Sequence, residues 1–377
     1  MGIITQPRGT LLRWTRFKSD PHGTGPEKRS AQIHHLCADA GFNISDMAPP
    51  SRLPRMQAWL SGLSARWRFG ENASVDSVGF GLLGFRARFY RTALQNHSGI
   101  RVLLWETTYD SLLPTFAKAA GYRVIALPHN LEALVSEHAF ADPSHPPCCH
   151  LPAEIARLGL SDALFTISRE EQWFLEANNL LPSYLPFFPD PSLALECLAI
   201  RETRAARAQN DGSLKGPLLL LGSGFNPATA RGMRQQLTWL TKQGSTTDIL
   251  VAGPSTDREL ADFNSPKIKI FGGVSRAHLV ELLKTCSALL IHTRGGAGAV
   301  TRIPEALLAG VPLIANANAA RDQHGVPGVH EYEAETEFLS LASTPLPIPP
   351  TPPRPVQAET RFLNILQQLA KPRTSHA

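Results

Sequence analysis

The residues with the clearest chemical potential in this 377-residue chain are an arginine and a glutamate that follow a run of glycines. Gly295, Gly296 and Gly298 precede Arg302 and Glu305, which are three residues apart. This spacing places both side chains on one face of a helix. Free N–H groups at a helix start favour an anion, and Arg302 adds positive charge. A carboxylate one turn away accepts hydrogen bonds from sugar hydroxyls. The pattern predicts binding of a diphosphate and its attached ribose.

The neighbouring elements determine where these residues would lie. The string SALLIHT predicts a buried strand before the glycines, and Pro304 is tolerated only in the first turn of the next helix. The helix should therefore begin near residues 299–303, at the carboxyl end of a strand, where open parallel sheets bind ligands. The alternative is an ordinary glycine turn before a core helix, with Arg302 and Glu305 as a surface ion pair.

Short apolar strands alternate with helical segments along the chain. Examples are RVLLWE and YRVIALPHN in the first half and PLLLLG and TTDILVAG in the second. This alternation predicts an α/β fold with two parallel sheets, each in a Rossmann-like domain, facing a central cleft. We place the domains at residues 1–208 and 213–340, separated by the polar string RETRAARAQNDGSLKG. A helix is also expected from LEALVSEH.

Residues 341–377 are expected to form a Pro-rich linker and a C-terminal helix. The string STPLPIPPTPPRP should be extended and exposed, because proline fits neither a helix interior nor a central strand. We expect it to act as a semi-rigid spacer; a ligand for a proline-binding module is the alternative. The string AETRFLNILQQLAK then predicts a helix with one apolar face that docks on a domain.

The composition excludes several classes of protein. With 43% apolar and 18% charged residues, the chain should fold into globular domains rather than remain disordered. Five scattered cysteines do not form a disulfide framework and fit a reducing compartment. We find neither a signal peptide nor a spanning segment and predict a cytoplasmic protein. The net charge of +5 favours anionic ligands without requiring a nucleic acid, and none is predicted as a partner.

Basic charge is concentrated between residues 51 and 91. Seven arginines in this stretch oppose two acidic residues, and Trp59 and Trp67 are among the apolar residues interleaved with them. This composition fits a solvated amphipathic helix of the first domain, which is the favoured interpretation. The alternative is docking on an anionic membrane surface, with the protein peripheral on the inner face of the membrane.

The string GAGAVTRIPEALLAGVPLIAN resembles the donor-site signature of GT-B fold glycosyltransferases, particularly those similar to family 4 (glycosyl transferases group 1). HGTGPEKRSAQI, LPHNLEAL, SDALFTISREEQWFL and LGSGFNPATA resemble further segments of that family in the expected order. The resemblance covers roughly residues 10 to 335. It implies transfer of a sugar from a nucleotide-sugar donor to a saccharide or lipid-linked acceptor, as in polysaccharide biosynthesis.

The resemblance also implies roles for individual residues. His129 and Arg302 would be catalytic, with His129 close to the transferred sugar and Arg302 at the donor phosphates. Glu305 would bind the ribose. The other donor-binding residues would be Gly23, Gly25, Ser223, Gly224, Asn226, Gly296, Ala297 and Gly298.

The resemblance further implies retention of anomeric configuration without a metal or other cofactor. The barrier is charge separation as the bond to phosphate breaks, so fixed positive groups are the main catalytic tool. Many family members carry a second Glu where this chain has Ala297. The alternative function is therefore a non-catalytic GT-B-like protein that binds a nucleotide sugar or a partner subunit.

Two other motifs are weaker indications of function, one of a zinc site and one of dinucleotide binding. His145, Cys148, Cys149 and His150 contain zinc-ligand residue types, but their spacing does not match a zinc finger, and an ordinary loop is favoured. The string GSGFNPA resembles a dinucleotide fingerprint, but Pro227 occupies the position of its third glycine, which disfavours an NAD enzyme.

Overall fold

The computed structural model describes most of the chain. The residues described are 8–47, 55–69, 80–107, 112–135, 151–211, 214–244, 247–295 and 298–372. Two compact units are formed, which we call unit 1 and unit 2. Unit 1 comprises Met1–Asp20, Arg29–Pro186 and Pro355–Ala377, and unit 2 comprises Pro21–Lys28 and Phe187–Arg354.

Unit 1 is built on a six-stranded parallel sheet of order β2-β1-β3-β4-β5-β6. Its strands are β1 (Gly9–Trp14), β2 (Phe42–Asp46), β3 (Val102–Trp105), β4 (Arg123–Ala126), β5 (Ala163–Thr166) and β6 (Ser183–Tyr184). Alternate side chains point to opposite faces, so Leu11 and Leu12 enter separate apolar clusters. Both faces are therefore covered, as the near-continuous apolar strands predict.

Helices cover both faces of this sheet. They are α1 (Gly25–Asp39), α2 (Arg55–Phe69), α3 (Phe80–Asn96), α4 (Leu113–Ala119), α5 (Leu151–Leu158) and α6 (Arg169–Ala177). Ile33, Leu36 and Cys37 of α1 pack on one face, whereas Leu83 and Tyr90 of α3 pack on the other. Parallel strands joined by helices confirm the α/β prediction.

Unit 2 contains a second six-stranded parallel sheet, of order β12-β11-β10-β7-β8-β9. Its strands are β7 (Leu218–Leu221), β8 (Ile249–Ala252), β9 (Ile268–Ile270), β10 (Ala288–Ile291), β11 (Leu313–Asn316) and β12 (Val329–Tyr332). Its helices are α7 (Pro191–Asp211), α8 (Pro227–Lys242), α9 (Thr256–Glu259), α10 (Arg276–Thr285), α11 (Arg302–Leu308), α12 (Ala317–Ala320) and α13 (Glu335–Ser343). The strand order reverses beside β10 and β7, which places the carboxyl ends of these two strands at a switch point.

The structure contradicts the domain boundary predicted at residues 208–213. The chain enters unit 2 at Phe187, and the polar string that suggested a linker forms the end of α7, as far as Asp211. Arg204 explains this difference. Its guanidinium is buried and donates to the carbonyls of Gly310, Leu283 and Cys286. An arginine that satisfies buried carbonyls is part of the core, although in sequence it resembles a solvated charge.

The C-terminal segment returns the chain to unit 1 as helix α14 (Val356–Ala370). Phe362 and Leu366 are fully buried in the cluster that contains α1, as the apolar spacing of this helix predicts. The proline-rich segment before α14 has neither helix nor strand over residues 345–355. It is not a fully exposed spacer, because Pro349 is buried and its carbonyl accepts a hydrogen bond from Arg201 at 2.7 Å.

Where the structure describes the string LEALVSEH, it forms a 3₁₀ turn over Glu132–Leu134; residues 136–150, which include the end of this string, lie outside the description. The carboxylate of Glu154 satisfies the first N–H groups of this turn, because it accepts from the N–H groups of Glu132 and Ala133 at 3.0 and 2.8 Å. Among the helices that are described, none is long and apolar enough to cross a membrane.

Candidate functional site

The predicted arginine and glutamate lie on helix α11 of unit 2, which begins at Arg302 as the position of Pro304 predicts. The helix follows β10 and the glycine loop, and it packs beside β11 and α7. Ile303 and Ala306 are buried in the core, so the side chains of Arg302 and Glu305 share another face of the helix.

Arg302 connects this helix to the end of β7. Its guanidinium donates a hydrogen bond to the carbonyl of Leu221, the last residue of that strand. A Cβ atom at Gly222 would lie 2.5 Å from Nη1 of Arg302, so this glycine leaves space for the guanidinium. Burial lowers the pKa of Arg302 from its ordinary value. The arginine thus fixes the loop after β7 rather than forming the surface ion pair considered from the sequence.

Glu305 is paired with a lysine that the sequence does not single out. The Nζ atom of Lys28 donates to both carboxylate oxygens of Glu305, at 2.8 and 2.6 Å. The two side chains are only 10% and 13% exposed, so the pair is largely removed from water. The two residues are 277 positions apart in the chain. A carboxylate at this position can bind a cation or the adjacent hydroxyls of a sugar.

The glycine loop at the start of α1 belongs to unit 2 together with Lys28. A Cβ atom at Gly25 would lie 3.2 Å from Oγ1 of Thr301, the residue before α11. Glu27 orders the loop, because its carboxylate accepts from the backbone N–H and the hydroxyl of Thr24. A Cβ atom at Gly23 would lie 2.5 Å from that same carboxylate. Both predicted glycines are therefore at close contacts.

The loop after β7 contains the predicted residues Ser223, Gly224 and Asn226. Gly224 allows the backbone to approach Ser255, because a Cβ atom there would lie 2.6 Å from the Ser255 carbonyl oxygen. Asn226 caps α8, with its side chain accepting from the N–H of Thr229 at 3.0 Å. The hydroxyl of Ser223 accepts from the N–H of Phe225 at 3.3 Å. These contacts give Ser223 and Asn226 a local structural role.

The glycine loop before α11 is held by side chains that the sequence analysis missed. Asn316 accepts from the N–H of Thr293 at 3.0 Å and donates to its carbonyl at 2.8 Å. Asn318 donates to the Gly295 carbonyl and Arg321 to the Gly298 carbonyl, both at 2.9 Å. Gly296 and Ala297 lie outside the described residues. The polar string NANAARD after a buried strand is the signal that could have indicated this support.

The predicted His129 lies in unit 1, near a buried carboxylate. Nε2 of His129 is 3.5 Å from Oε2 of Glu106, which is 1% exposed. The hydroxyl of Ser30 donates to the same carboxylate, and Arg13 lies 3.5 Å from its other oxygen. These partners outweigh burial and lower the pKa of Glu106 below its usual value. A buried anion therefore adjoins His129, whose ring also contacts Phe17 edge-on.

Helix α2 exposes a continuous apolar stripe on unit 1. Its small residues Ala58 and Gly62 pack against α3, where a Cβ atom at Gly84 would lie only 1.6 Å from the Ala58 carbonyl oxygen. Helical spacing places the large apolar residues together on the exposed side. These residues are Met56, Trp59, Leu60, Leu63 and Trp67. Trp67 is 91% exposed. The described parts of α2 and α3 contain arginines and no acidic residue.

The described residues contain no group of three or more His, Cys, Asp or Glu side chains that could hold a metal ion. The histidines and cysteines between His145 and His150 fall outside the described part of the chain. Cys37, Cys197 and Cys286 are buried and do not form disulfides.

Comparisons with known proteins identify the architecture. No protein-family model matches the sequence, and no curated protein does. Among solved structures, Anabaena Alr3699/HepE in complex with UDP is 13% identical, with a TM-score of 0.58 over 95% of this chain and 99% of that chain. Sucrose-phosphate synthase from Thermosynechococcus elongatus is 13% identical, with a TM-score of 0.57 over 96% and 92%. The chain has the GT-B fold.

The same architecture also occurs in an enzyme of a different class. UDP-GlcNAc 2-epimerase from Methanocaldococcus jannaschii is 13% identical, with a TM-score of 0.53 over 95% of this chain and 99% of that chain. The fold alone therefore does not determine the reaction. The reaction must therefore be inferred from the side chains of the candidate site.

Proposed function

We propose that this protein is a glycosyltransferase that binds a nucleotide sugar through unit 2 and transfers the sugar to a saccharide or lipid-linked acceptor. The observation that carries the proposal is the carboxylate of Glu305, held beside Arg302 and the glycine loops. A carboxylate accepts hydrogen bonds from ribose hydroxyls, and an oriented cation binds the negative charge of a diphosphate. UDP or UDP-glucose is bound in the HepE structures, which supports a nucleotide sugar as the ligand class.

The proposed mechanism depends on stabilising the leaving nucleoside diphosphate. Negative charge increases on the diphosphate as its bond to the sugar breaks, and cations that are already oriented stabilise that charge without reorganisation. Arg302 is oriented by its bond to Leu221 and would supply one such cation. We infer retention of anomeric configuration and no requirement for a metal, in agreement with the family resemblance in the sequence.

His129 is proposed to position hydroxyl groups of the transferred sugar. Its imidazole has both a donor and an acceptor nitrogen when neutral, which suits a sugar hydroxyl. Glu106 is a positioning residue in this proposal, because its buried carboxylate restricts the orientation of the histidine. The proposed role does not require His129 to be a strong base.

The exposed stripe of α2 is proposed to dock on anionic lipid, with the protein peripheral on the inner face of the membrane. Tryptophan suits the boundary between headgroups and acyl chains, and nearby arginines add about 1 kcal/mol each on an anionic surface. This docking would bring the enzyme to a lipid-linked acceptor. The argument rests on the apolar stripe and the lack of acidic residues in the described parts of α2 and α3.

The proposal is tested by incubating the protein with UDP-, GDP- and ADP-sugars and a lysate-derived acceptor, and measuring nucleotide release and sugar transfer. Glu305→Ala should weaken nucleotide binding by about 10- to 100-fold, since hydrogen bonds to a charged acceptor contribute about 1.5–3 kcal/mol. Glu281→Ala is the matched control, because Glu281 pairs with Lys284 on the surface of α10 in the same unit.

Other outcomes identify other functions. Tight nucleotide-sugar binding without turnover across the acceptor panel would favour the non-catalytic alternative. A sugar that changes configuration while still attached to its nucleotide would favour an epimerase. Normal turnover in both Glu305→Ala and Arg302→Ala would contradict the donor-site assignment.

A further inference from the structure

We propose that Lys28 occupies the carboxylate of Glu305 until a nucleotide displaces it, and that the displaced ammonium group then binds the diphosphate of that nucleotide. Lys28 would therefore oppose ribose binding and favour phosphate binding in the same event. This inference rests on the proposed function, because it requires Glu305 to be the acceptor for ribose.

The position of Nζ creates the competition. It lies within hydrogen-bond distance of both oxygens of Glu305, at 2.8 and 2.6 Å, and therefore occupies the position between them. The adjacent 2′ and 3′ hydroxyls of a ribose would donate to these same two oxygens. The ammonium group and the ribose cannot occupy that position together, so a bound ribose requires Lys28 to move.

Burial determines what must happen to both charges. The Lys28 and Glu305 side chains are 10% and 13% exposed, and removal of one partner from a buried pair leaves a costly uncompensated charge. Ribose hydroxyls would provide new donors for Glu305. Lys28 would still need an anion, and the diphosphate of the same ligand can supply it. A nucleoside without phosphates would leave the ammonium group without this compensation.

The location of Lys28 makes this exchange local. Lys28 lies in the first turn of α1, which begins at Gly25. A Cβ atom at Gly25 would lie 3.2 Å from Oγ1 of Thr301, so the start of α1 is close to Thr301. Thr301 immediately precedes Arg302, the other cation proposed to contact the diphosphate. A flexible lysine side chain can reorient about its own bonds without moving the helix.

The test compares a nucleoside with its diphosphate on the same variants. Dissociation constants for uridine and UDP, guanosine and GDP, and adenosine and ADP are measured by calorimetry and by NMR titration. In Lys28→Met, nucleoside affinity should rise by about tenfold, because the competing ammonium group is gone. Affinity for the diphosphate should fall by about tenfold, because losing the ammonium–phosphate interaction costs about 100-fold and outweighs the same tenfold gain. The opposite signs are the signature of the exchange.

Two other variants act as controls. Lys267→Met removes an exposed lysine that pairs with Asp248 in the same unit, and both affinities should remain unchanged. Lys28→Arg keeps the charge and can pair with Glu305 through two N–H groups, so nucleoside binding should be no tighter than in the wild type. Thermal unfolding of each variant verifies that it is folded, and Lys28→Arg provides the comparison if Lys28→Met does not fold.

If the two affinities do not change in opposite directions in Lys28→Met, the exchange proposed for Lys28 is wrong. Affinities that both rise would show that Lys28 only competes with the ligand, and affinities that both fall or do not change would assign it a structural role. These results leave the proposed function intact, since the wild type still binds the diphosphate. Failure of the wild type to bind any of the three diphosphates would instead contradict the proposed function itself.

Discussion

Nε2 of His129 lies 3.5 Å from Oε2 of Glu106, at the carboxyl ends of neighbouring strands in unit 1. Glu106 directly follows β3, and His129 follows β4 by three residues. The parallel register aligns Trp105 with Ala126 and thereby brings the two side chains to one edge of the sheet. The carboxylate is buried and its pKa is lowered, so it remains anionic beside the histidine.

His129→Ala should therefore reduce turnover by about 100-fold, the loss expected when reacting groups are displaced by about 1 Å, while nucleotide affinity changes less than about twofold. Glu106→Gln keeps a polar side chain but removes the charge that orients His129. We therefore expect kcat to fall in this variant as well, although His129 itself is unchanged. His35→Ala is the control, because His35 pairs with Asp39 on the surface of α1. Equal loss of kcat in the control would assign the effect to folding instead. Kinetics and thermal unfolding provide the two readouts.

Arg302→Ala should lower both stability and turnover, because the substitution removes a proposed phosphate-binding cation and leaves the Leu221 carbonyl without its donor. Loss of this partly buried hydrogen bond from a charged donor costs about 1–3 kcal/mol in the free energy of unfolding. Arg302→Lys keeps the positive charge and should lose less of both. Arg258→Ala, which removes an exposed arginine paired with Glu259, should change neither. Denaturant unfolding and kcat/KM measurements separate the two effects, and unchanged kcat/KM in Arg302→Ala would contradict the catalytic assignment.

His292 should make unit 2 less stable in mild acid. Burial, with a smaller contribution from Arg294, lowers the pKa of His292 to about 4 from 6.5, and its Nδ1 lies 2.7 Å from the hydroxyl of Tyr332. The unfolded state therefore binds the proton first as the pH falls below 6.5. Stability decreases between about pH 6.5 and 4 by at most about 1.4 kcal/mol per pH unit and is unaffected above that window.

Denaturant unfolding of the wild type and of His292→Gln over that pH range measures this contribution. The variant should be less stable at pH 7, where it lacks the neutral imidazole, and its stability should decline less steeply toward pH 4. Carboxylates that titrate in the same range affect both proteins equally, so the difference isolates His292. Parallel curves for the two proteins would contradict the prediction.

The double variant Trp59→Ser and Trp67→Ser should lose sedimentation with vesicles that contain phosphatidylglycerol. The two indoles are 49% and 91% exposed on the same stripe of α2. Trp173→Ser is the matched control, because Trp173 is 59% exposed on α6, whose first turn contains Glu170 and Glu171. Equal sedimentation of the wild type with neutral and anionic vesicles would exclude the proposed anionic docking surface.

Local sequence rules predicted the elements more successfully than the pairings between them. Pro304 restricts where a helix can begin, and α11 begins at Arg302 as expected. Apolar spacing likewise predicts the buried face of α14 that contains Phe362. The partner of Glu305 could not be predicted, because Lys28 is 277 positions away and a surface helix would have the same local pattern. The residue types at the candidate site were predictable, but their contacts depend on tertiary structure.

Arg204 shows the same limit in the scaffold. The string around it is polar and ends in a turn signal, so the sequence predicts a linker there, yet its guanidinium donates to three carbonyls from distant elements. Only the tertiary structure brings those carbonyls together. The sequence shows that an arginine is charged, but it does not show which buried backbone carbonyls would accept hydrogen bonds from it and stabilise it in the core.

The return of α14 to unit 1 has a consequence for biosynthesis. Phe362 and Leu366 complete the apolar cluster that includes Leu11 and Ile33, although about 330 residues separate the two parts of that cluster. A ribosome therefore releases the strands of unit 1 well before the last helix that covers them. Until α14 emerges, one surface of the nascent sheet and its first helix stays uncovered, and this surface is where we expect a chaperone to bind during translation.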